Sequence, residues 1–388
     1  MDERSLIFPA QEFRARIAAL QAGMANLSLD ALLLNSPADI FYTTGFLTRF
    51  WESPARPWFV IVPNTGEPVA VIPSIGADLM GRTWLHDIRI WDAPDPRDDG
   101  VSLLADTLAQ AVAPNGRIGL AMGLETHLRM PLADFDALRA RLAPRRFVDA
   151  TACVQRVREV KSEAEIDKIR ATCAIAARAF ARVPDFALAG RPLSDVFRDF
   201  QIALLSEGAD WVSYVAGGAG PAGYGDVISP AGAAPLQHGD VLMLDTGAVK
   251  DGYFCDFDRN FAIGPASDTA HRAHAALWHA TEDALTALRP GMLARDVHVL
   301  LSRGLERLGV TPGGGRLGHG LGITLTEWPS FTPLDETPLR AGMVLTLEPG
   351  CVTAGGRIMV HEENIVLRDT GPELLSPRAP EDLPEIRT

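Results

Sequence analysis

The 388-residue sequence has no basic run, and its 36 Lys and Arg are outnumbered by 49 Asp and Glu, a formal net charge of −13 at pH 7. That balance argues against a nucleic-acid partner, whose phosphates need clustered cations. No stretch approaches the roughly 20 apolar residues of a membrane helix, so no membrane partner is expected. The opening segment is charged and lacks the apolar core of a secretory signal. Cysteine is scarce: four, at positions 153, 173, 255 and 351, with no metal-type spacing. A reduced, cytoplasmic protein is the expected setting. Cys255 and Cys351 adjoin candidate site residues, which predicts inactivation by oxidants. The glycines between Tyr214 and Gly225 follow neither the dinucleotide fingerprint nor a phosphate loop. They read as a loop forming a wall of a substrate pocket. There is no internal repeat, and the prolines are spread too evenly to mark a disordered linker.

An apolar fraction of 47% is ample for buried cores, and the length suggests two domains. In the first half, helix patterns (13–26, 101–113, 131–142) alternate with short apolar strands (31–35, 58–63, 69–73, 117–121), the signature of an α/β layer with parallel pairing. A boundary near 150–160 gives domains of 1–155 and 156–388. Beyond it, Ser162-x-x-Glu165 forms a capping box that opens a long helix. Helices at 162–183, 193–207, 267–288 and 294–308 then gather beside antiparallel strands, an α+β arrangement.

Five residues of this second half supply four carboxylates and one imidazole: Asp245, Asp256, His319, Glu348 and Glu363. Such an oxygen-rich set suits a pair of divalent cations. Residues 241–249 and 253–262 read as a β-hairpin with an Asp-Gly turn, its loop either Lys250-Asp251 or Asp251-Gly252. Residue 245 then pairs with 256 or with 258, and in either register Asp245 and Asp256 share a face. Glu348 ends the apolar run from Met343 and is followed by Pro349-Gly350, which stops the strand. Alternation puts Met359, His361, Glu363 and Ile365 on one face, Glu362 and Asn364 on the other. Of the adjacent acids, Glu363 is the expected ligand. His319 lies in GHGLG, where glycines would let the backbone pass close to a metal centre. His271 and His274, three apart on a helix, lack the Glu of a zinc-protease helix and read as a solvated face. His86, His127, His238, His279 and His298 show no partner pattern.

These segments resemble the group containing methionine aminopeptidase, aminopeptidase P, prolidase and creatinase, whose catalytic domain has the pita-bread fold. Its pattern is an Asp in a strand, a second Asp eleven residues later in (S/C)D-x-x-R, GHG(L/I)G, (I/L)EPG and a late E(D/N)-x-V-L strand. Here these are Asp245, Asp256 in CDFDR, His319 in GHGLG, Glu348 in LEPG and Glu363 in EENIVL. The segment from Asp30 to Phe46 resembles the amino-terminal domain of the creatinase, prolidase and aminopeptidase P branch, and Val157 to Ala176 the opening of their catalytic domain. The resemblance implies an α/β N-terminal domain followed by an α+β pita-bread domain, two metal ions and a homodimer. It also implies that Asp245 and Glu363 bridge the ions, Asp256 completes one site, His319 and Glu348 complete the other, and Glu348 moves the proton. Mn²⁺ or Co²⁺ is favoured, with Zn²⁺ allowed.

The departures bear on substrate. Peptidases of this branch carry a His seventeen residues before the first Asp, where Ile228 stands here. They carry another seven residues after the metal His, now Thr326, and a Tyr two residues after EPG, now Val352. Such groups hydrogen-bond the substrate carbonyl or its tetrahedral intermediate. His361, on the face assigned to Glu363, is the expected substitute donor, in a catalytic and substrate-binding role, with Thr326 a further substrate-binding candidate. The alternative is that it orients Glu363. Trp51 and Trp328 are candidate pocket walls. The expected function is a metallohydrolase resembling Xaa-Pro aminopeptidase or prolidase, acting on a short peptide or small amide. A non-peptidase hydrolase or lyase of the same fold, acting on an osmolyte-like molecule, is the second expectation.

Overall fold

The computed structural model of the protein describes residues 7–51 and 56–387. The chain divides into two compact units, Met1–Arg158 and Glu159–Thr388.

The first unit is built on a six-stranded sheet. Its order is Asp87–Trp91, Val69–Pro73, Phe59–Pro63, Ala31–Leu34, Arg117–Leu120 and Arg146–Asp149. The sheet is mixed rather than parallel throughout. Only five residues separate Pro63 from Val69, too few for a crossover, so those strands pair antiparallel, as do Ala31–Leu34 and Phe59–Pro63. The remaining neighbours are parallel. Central Ala31–Leu34 is buried at every residue, which explains its unbroken apolar run. A helix the sequence reading passed over, Pro37–Thr44, starts at Ser36, whose side chain accepts from the Asp39 N–H, and stops at left-handed Gly45. Trp51 packs edge-on against Trp58 and Phe46, at ring separations of 5.7 and 6.2 Å.

In the second unit Ser162 and Glu165 form the expected capping box at the head of helix Glu163–Phe180. One sheet runs, from one edge to the other, Glu385–Ile386, Phe257–Ile263, Asp240–Lys250 and Trp211–Pro221. The last of these corrects the loop expected there. Gly217, Gly218 and Gly220 lie in an eleven-residue strand, with Gly223 and Gly225 beyond its end, and at Gly217 an added Cβ would meet the Met243 carbonyl oxygen at 2.1 Å. A second sheet runs Glu327–Ser330, His319–Gly320, Val344–Leu347, Glu363–Arg368, Gly371–Leu374. Helix Asp268–Ala287 packs Ala270, Ala273 and Leu277 against Val241, Met243 and Met359. Leu345, Leu347, Ile365 and Leu367 join Leu288, Val297 and Leu301 in another core. No described helix is long and apolar enough to cross a membrane.

Candidate metal centre

The hairpin turns at Asp251-Gly252, both with positive φ (51° and 81°), the conformation Asp-Gly favours in a two-residue turn. Its register pairs Asp245 with Asp258, which settles the alternative left open by the sequence. Two residues along the same strand, Asp256 shares their face. On the opposite face Phe257 packs against Phe180, with ring centroids 5.2 Å apart. Both faces of the hairpin are therefore buried, and its carboxylates do not lie on a solvated surface.

The second sheet presents its own set. Leu347 pairs with Glu363 and Thr346 with Asn364, so one step further Glu348 stands opposite Glu362. Gly320 pairs with Leu345, which puts His319 beside Thr346, and the His319 N–H donates to Thr346 Oγ1 at 3.1 Å. One face of this sheet thus carries His319, Thr346, Glu348, Glu362 and Asn364. The odd-numbered neighbours Leu345, Leu347 and Ile365 point into the core. Gly318, at φ 134°, lies where a Cβ would come 2.3 Å from the Thr346 carbonyl oxygen. The GHGLG glycine therefore serves strand-to-strand approach rather than approach to a metal.

The two faces meet through a ladder from the hairpin to the strand leading into Glu363. Asn364 grips the backbone of Asp256, accepting from its N–H at 2.9 Å and donating to its carbonyl. The Glu362 N–H donates to Asp258 Oδ1 at 3.2 Å, and Asn260 Nδ2 donates to the Val360 carbonyl at 2.7 Å. Ligand-type atoms of Asp256, His319 and Glu362 come within 4.8 Å of one another, and His319 Nε2 is 3.3 Å from Asp256 Oδ2. His319 Nδ1 is 2.8 Å from the Gly320 carbonyl, which accepts its proton and turns Nε2 toward Asp256. The Tyr214 hydroxyl lies 2.5 Å from Asp256 Oδ1 and 3.0 Å from Asp245 Oδ2. Gly247 makes room for that ring, since a Cβ there would stand 2.5 Å from Tyr214 Cε1.

The expectation for Glu363 is corrected by its contacts. Its carboxylate receives Arg259 Nη2 at 3.0 Å, Arg378 Nη1 at 3.1 Å, the Ala379 N–H at 2.8 Å and the Ser376 hydroxyl. A carboxylate with four donors has no lone pair to spare, and Glu362 takes its place in the cluster. Alternation was right, since His361 and Glu363 do adjoin, with His361 Nε2 3.6 Å from Glu363 Oε1. The error lay in which face looks at the site. His361 is corrected with it. The ring is 1% exposed, and its Nε2 accepts from Arg378 Nη1 at 2.6 Å, on the Glu363 side of the strand. Burial and the Arg378 charge hold the imidazole well below its usual pKa, so it is a neutral acceptor rather than a substrate donor. His274 is buried as well, 3.1 Å from the Pro380 carbonyl, not on a solvated face.

Thr326 accepts from Arg316 Nη2 at 3.1 Å. Arg316 precedes Leu317, whose carbonyl accepts from the Glu348 N–H at 3.0 Å, so a guanidinium adjoins the Glu348 strand. Sequence reading missed Arg316, Tyr214, Asp258 and Glu362. Only the Glu362-Glu363 doublet signalled a choice. Ile228 is 83% exposed and Val352 is 41% exposed. Trp328 donates its indole N–H to Thr337 Oγ1 at 2.8 Å.

The electrostatics are those of buried acids crowded together. Burial, reinforced by Asp256, Asp258 and Glu348, holds the Asp245 carboxyl well above the usual range. Burial and the surrounding acids do the same to Glu362. Glu348 is pushed up to about 7 and Asp258 to about 8, burial being the main cause in each. Three buried carboxylate oxygens here, Asp245 Oδ1, Asp258 Oδ2 and Glu362 Oε1, have no hydrogen-bond partner. Orphaned carboxyl oxygens beside an imidazole nitrogen are a donor set that fits divalent cations.

Comparison with known proteins agrees with this geometry. The pattern described as Metallopeptidase family M24 matches residues 167–369, and the Creatinase/Prolidase N-terminal domain matches residues 16–160. The chain is 31% identical over 369 residues to a probable dipeptidase PepE of Mycobacterium bovis, covering 93% of each protein. It is 25% identical over 397 residues to the ectoine hydrolase of Halomonas elongata, covering 97% of this chain and 98% of that one. The crystal structure of dipeptidase PepE from Mycobacterium ulcerans superposes with a TM-score of 0.84 at 27% identity, covering 98% and 99% of the two chains. The fold is thus a creatinase-type N-terminal domain joined to a pita-bread catalytic domain, and the chain belongs to metallopeptidase family M24, whose members are divalent-metal-dependent hydrolases.

Proposed function

We propose that the protein is a dipeptidase-like hydrolase that cleaves the amide bond of a short peptide, using two divalent cations held by Asp245, Asp256, His319, Glu348 and Glu362. The observation that carries this reading is the meeting of two sheet faces, one bearing Asp245 and Asp256 and the other His319, Glu348 and Glu362, around carboxylate oxygens with no other partner. When bound, two such cations acidify a water and polarise the scissile carbonyl. The oxygen-rich donor set favours Mn²⁺ or Co²⁺, with Zn²⁺ allowed.

The remaining chemistry belongs to the chain. Glu348, in the metal cluster and beside Arg316, is the carboxylate that accepts a proton from the attacking water and returns it to the departing amine. The Nδ1–H of His319 is held by the Gly320 carbonyl, which fixes the ring with Nε2 facing the cluster. Tyr214 spans Asp245 and Asp256 with a single proton, holding both carboxylates in place. Arg316, steadied by Thr326 and set beside Glu348, supplies the cation that meets the free carboxylate of a dipeptide.

A second reading, a small-amide hydrolase, is favoured by the positions where Xaa-Pro peptidases carry histidines. Ile228 is solvent-exposed and Thr326 is engaged with Arg316, so neither supplies an imidazole. The likeness to an ectoine hydrolase supports the same reading. Incubation of Mn²⁺-loaded protein with a panel of Xaa-Pro and other dipeptides tests the choice. Release of free amino acid supports the dipeptidase. Inertness toward every peptide, with turnover of a cyclic or acylated amino-acid osmolyte, supports the alternative.

A further inference from the structure

Asp258 stands outside the five-residue pattern, at a position that the motif D-x-x-R leaves open. Its Cα pairs with Asp245 across the hairpin, so its side chain lies on the metal-facing side, two residues from Asp256. The residue is 1% exposed. Its two oxygens are not equivalent. Oδ1 accepts from the Glu362 N–H at 3.2 Å, while Oδ2 is buried with no partner at all. A carboxylate fixed through one oxygen and orphaned at the other, among Asp245, Glu348 and Glu362, has the disposition of a monodentate ligand whose second oxygen is oriented by the backbone. Burying such an oxygen with nothing to meet it is unfavourable. The neighbouring cation of Arg259 does not meet it: that guanidinium is spent on the carbonyls of Asp258, Glu362 and Pro377 and on the Glu363 carboxylate.

We propose that Asp258 is a sixth protein ligand of the metal centre, binding a divalent cation through Oδ2. The proposal rests on the metal-dependent reading above and adds to it. The site would then hold five carboxylates and one imidazole, one anion more than the family pattern provides. That excess suits a hard, six-coordinate cation such as Mn²⁺ better than tetrahedral Zn²⁺.

The test is Asp258→Asn, which preserves shape and keeps an oxygen to accept the Glu362 N–H, but removes the anionic ligand. Metal-free wild type and variant are titrated with Mn²⁺ by calorimetry, and the Mn²⁺-loaded proteins are compared by electron paramagnetic resonance. The expected result is a dissociation constant raised about 10- to 100-fold for one of the two equivalents, with an altered Mn²⁺ spectrum. Thermal melting of the metal-free forms serves as the folding control, and a variant that melts no lower than wild type is expected. Two equivalents bound at wild-type affinity with an unchanged spectrum would overturn the proposal and leave Asp258 a positioning residue for Glu362. Failure of the wild type itself to bind Mn²⁺ would instead overturn the metal-dependent reading. Should the Asn variant misfold, Asp258→Glu provides the second arm. It keeps the charge and should bind both equivalents, whereas a purely structural role would be disturbed by the longer side chain as much as by Asn.

Discussion

Glu348 and Glu362 stand opposite one another on neighbouring antiparallel strands, one residue beyond the Leu347–Glu363 pair. That register makes one acid of the Glu362-Glu363 doublet a partner of the cluster and the other an anchor for two arginines. The two substitutions should therefore separate. Glu362→Gln should lose at least one bound metal equivalent and about 100-fold or more in kcat, with little change in thermal stability. Glu363→Gln should keep its metal content but melt lower, because Arg259 loses its buried carboxylate partner and Arg378 is left with Glu282 alone, at about 3–5 kcal/mol. Metal analysis and a melting curve on each variant check both expectations.

The crowded acids set a pH dependence. Asp258 at about 8 and Glu348 at about 7 bind protons in the folded, metal-free protein at pH values where the unfolded chain has released them. Where the folded state holds more protons, stability falls as pH rises. The metal-free protein should thus be most stable below about pH 4.5 as far as these groups contribute. That contribution should be lost progressively up to about pH 8, lowering the melting temperature. Mn²⁺ should abolish most of this decline by taking the place of the protons. Melting curves between pH 5 and 8.5, with and without Mn²⁺, measure it.

Tyr214 is reached from strand Trp211–Pro221 and touches both hairpin aspartates. Tyr214→Phe should weaken Mn²⁺ binding about tenfold and leave the fold intact, since the ring still fills the space beside Gly247. Calorimetric titration reads the change.

The expectation that oxidants inactivate the protein is reversed by the burial of its cysteines. Cys153, Cys173, Cys255 and Cys351 are all free and buried. Burial pushes the Cys351 thiol up to about 11 and the Cys255 thiol well above its usual value. The thiolate is the reactive form, so both should resist a thiol reagent in the native state and react only after unfolding. Timed labelling with an aromatic disulfide, with and without denaturant, decides it.

Much of this was legible in the sequence, for physical reasons that can be named. The hairpin announced itself because Asp-Gly sat between two apolar strands. Asp245 and Asp256 shared a face in either register because strand periodicity is two. What stayed hidden was relational. Alternation grouped His361 with Glu363 correctly, yet the face that met the hairpin depended on pairing with Leu347 and on where Arg259 and Arg378 came to rest. Tyr214 was obscured by its glycine-rich neighbours, which look like a loop until the strand Asp240–Lys250 is laid against them. Arg316 and Asp258 carry no motif. Their relevance comes from backbone contacts to Glu348 and Glu362, far away in sequence.

The central claim is that two cations occupy the space between the hairpin and the strand ends bearing His319, Glu348 and Glu362. Elemental analysis of protein stripped by chelator and reloaded with Mn²⁺, read together with turnover of the best dipeptide or amide substrate, tests it most directly. The expected result is about two Mn²⁺ per chain, no turnover in the stripped protein and recovery on reloading. Undiminished turnover by protein that holds no metal would contradict it.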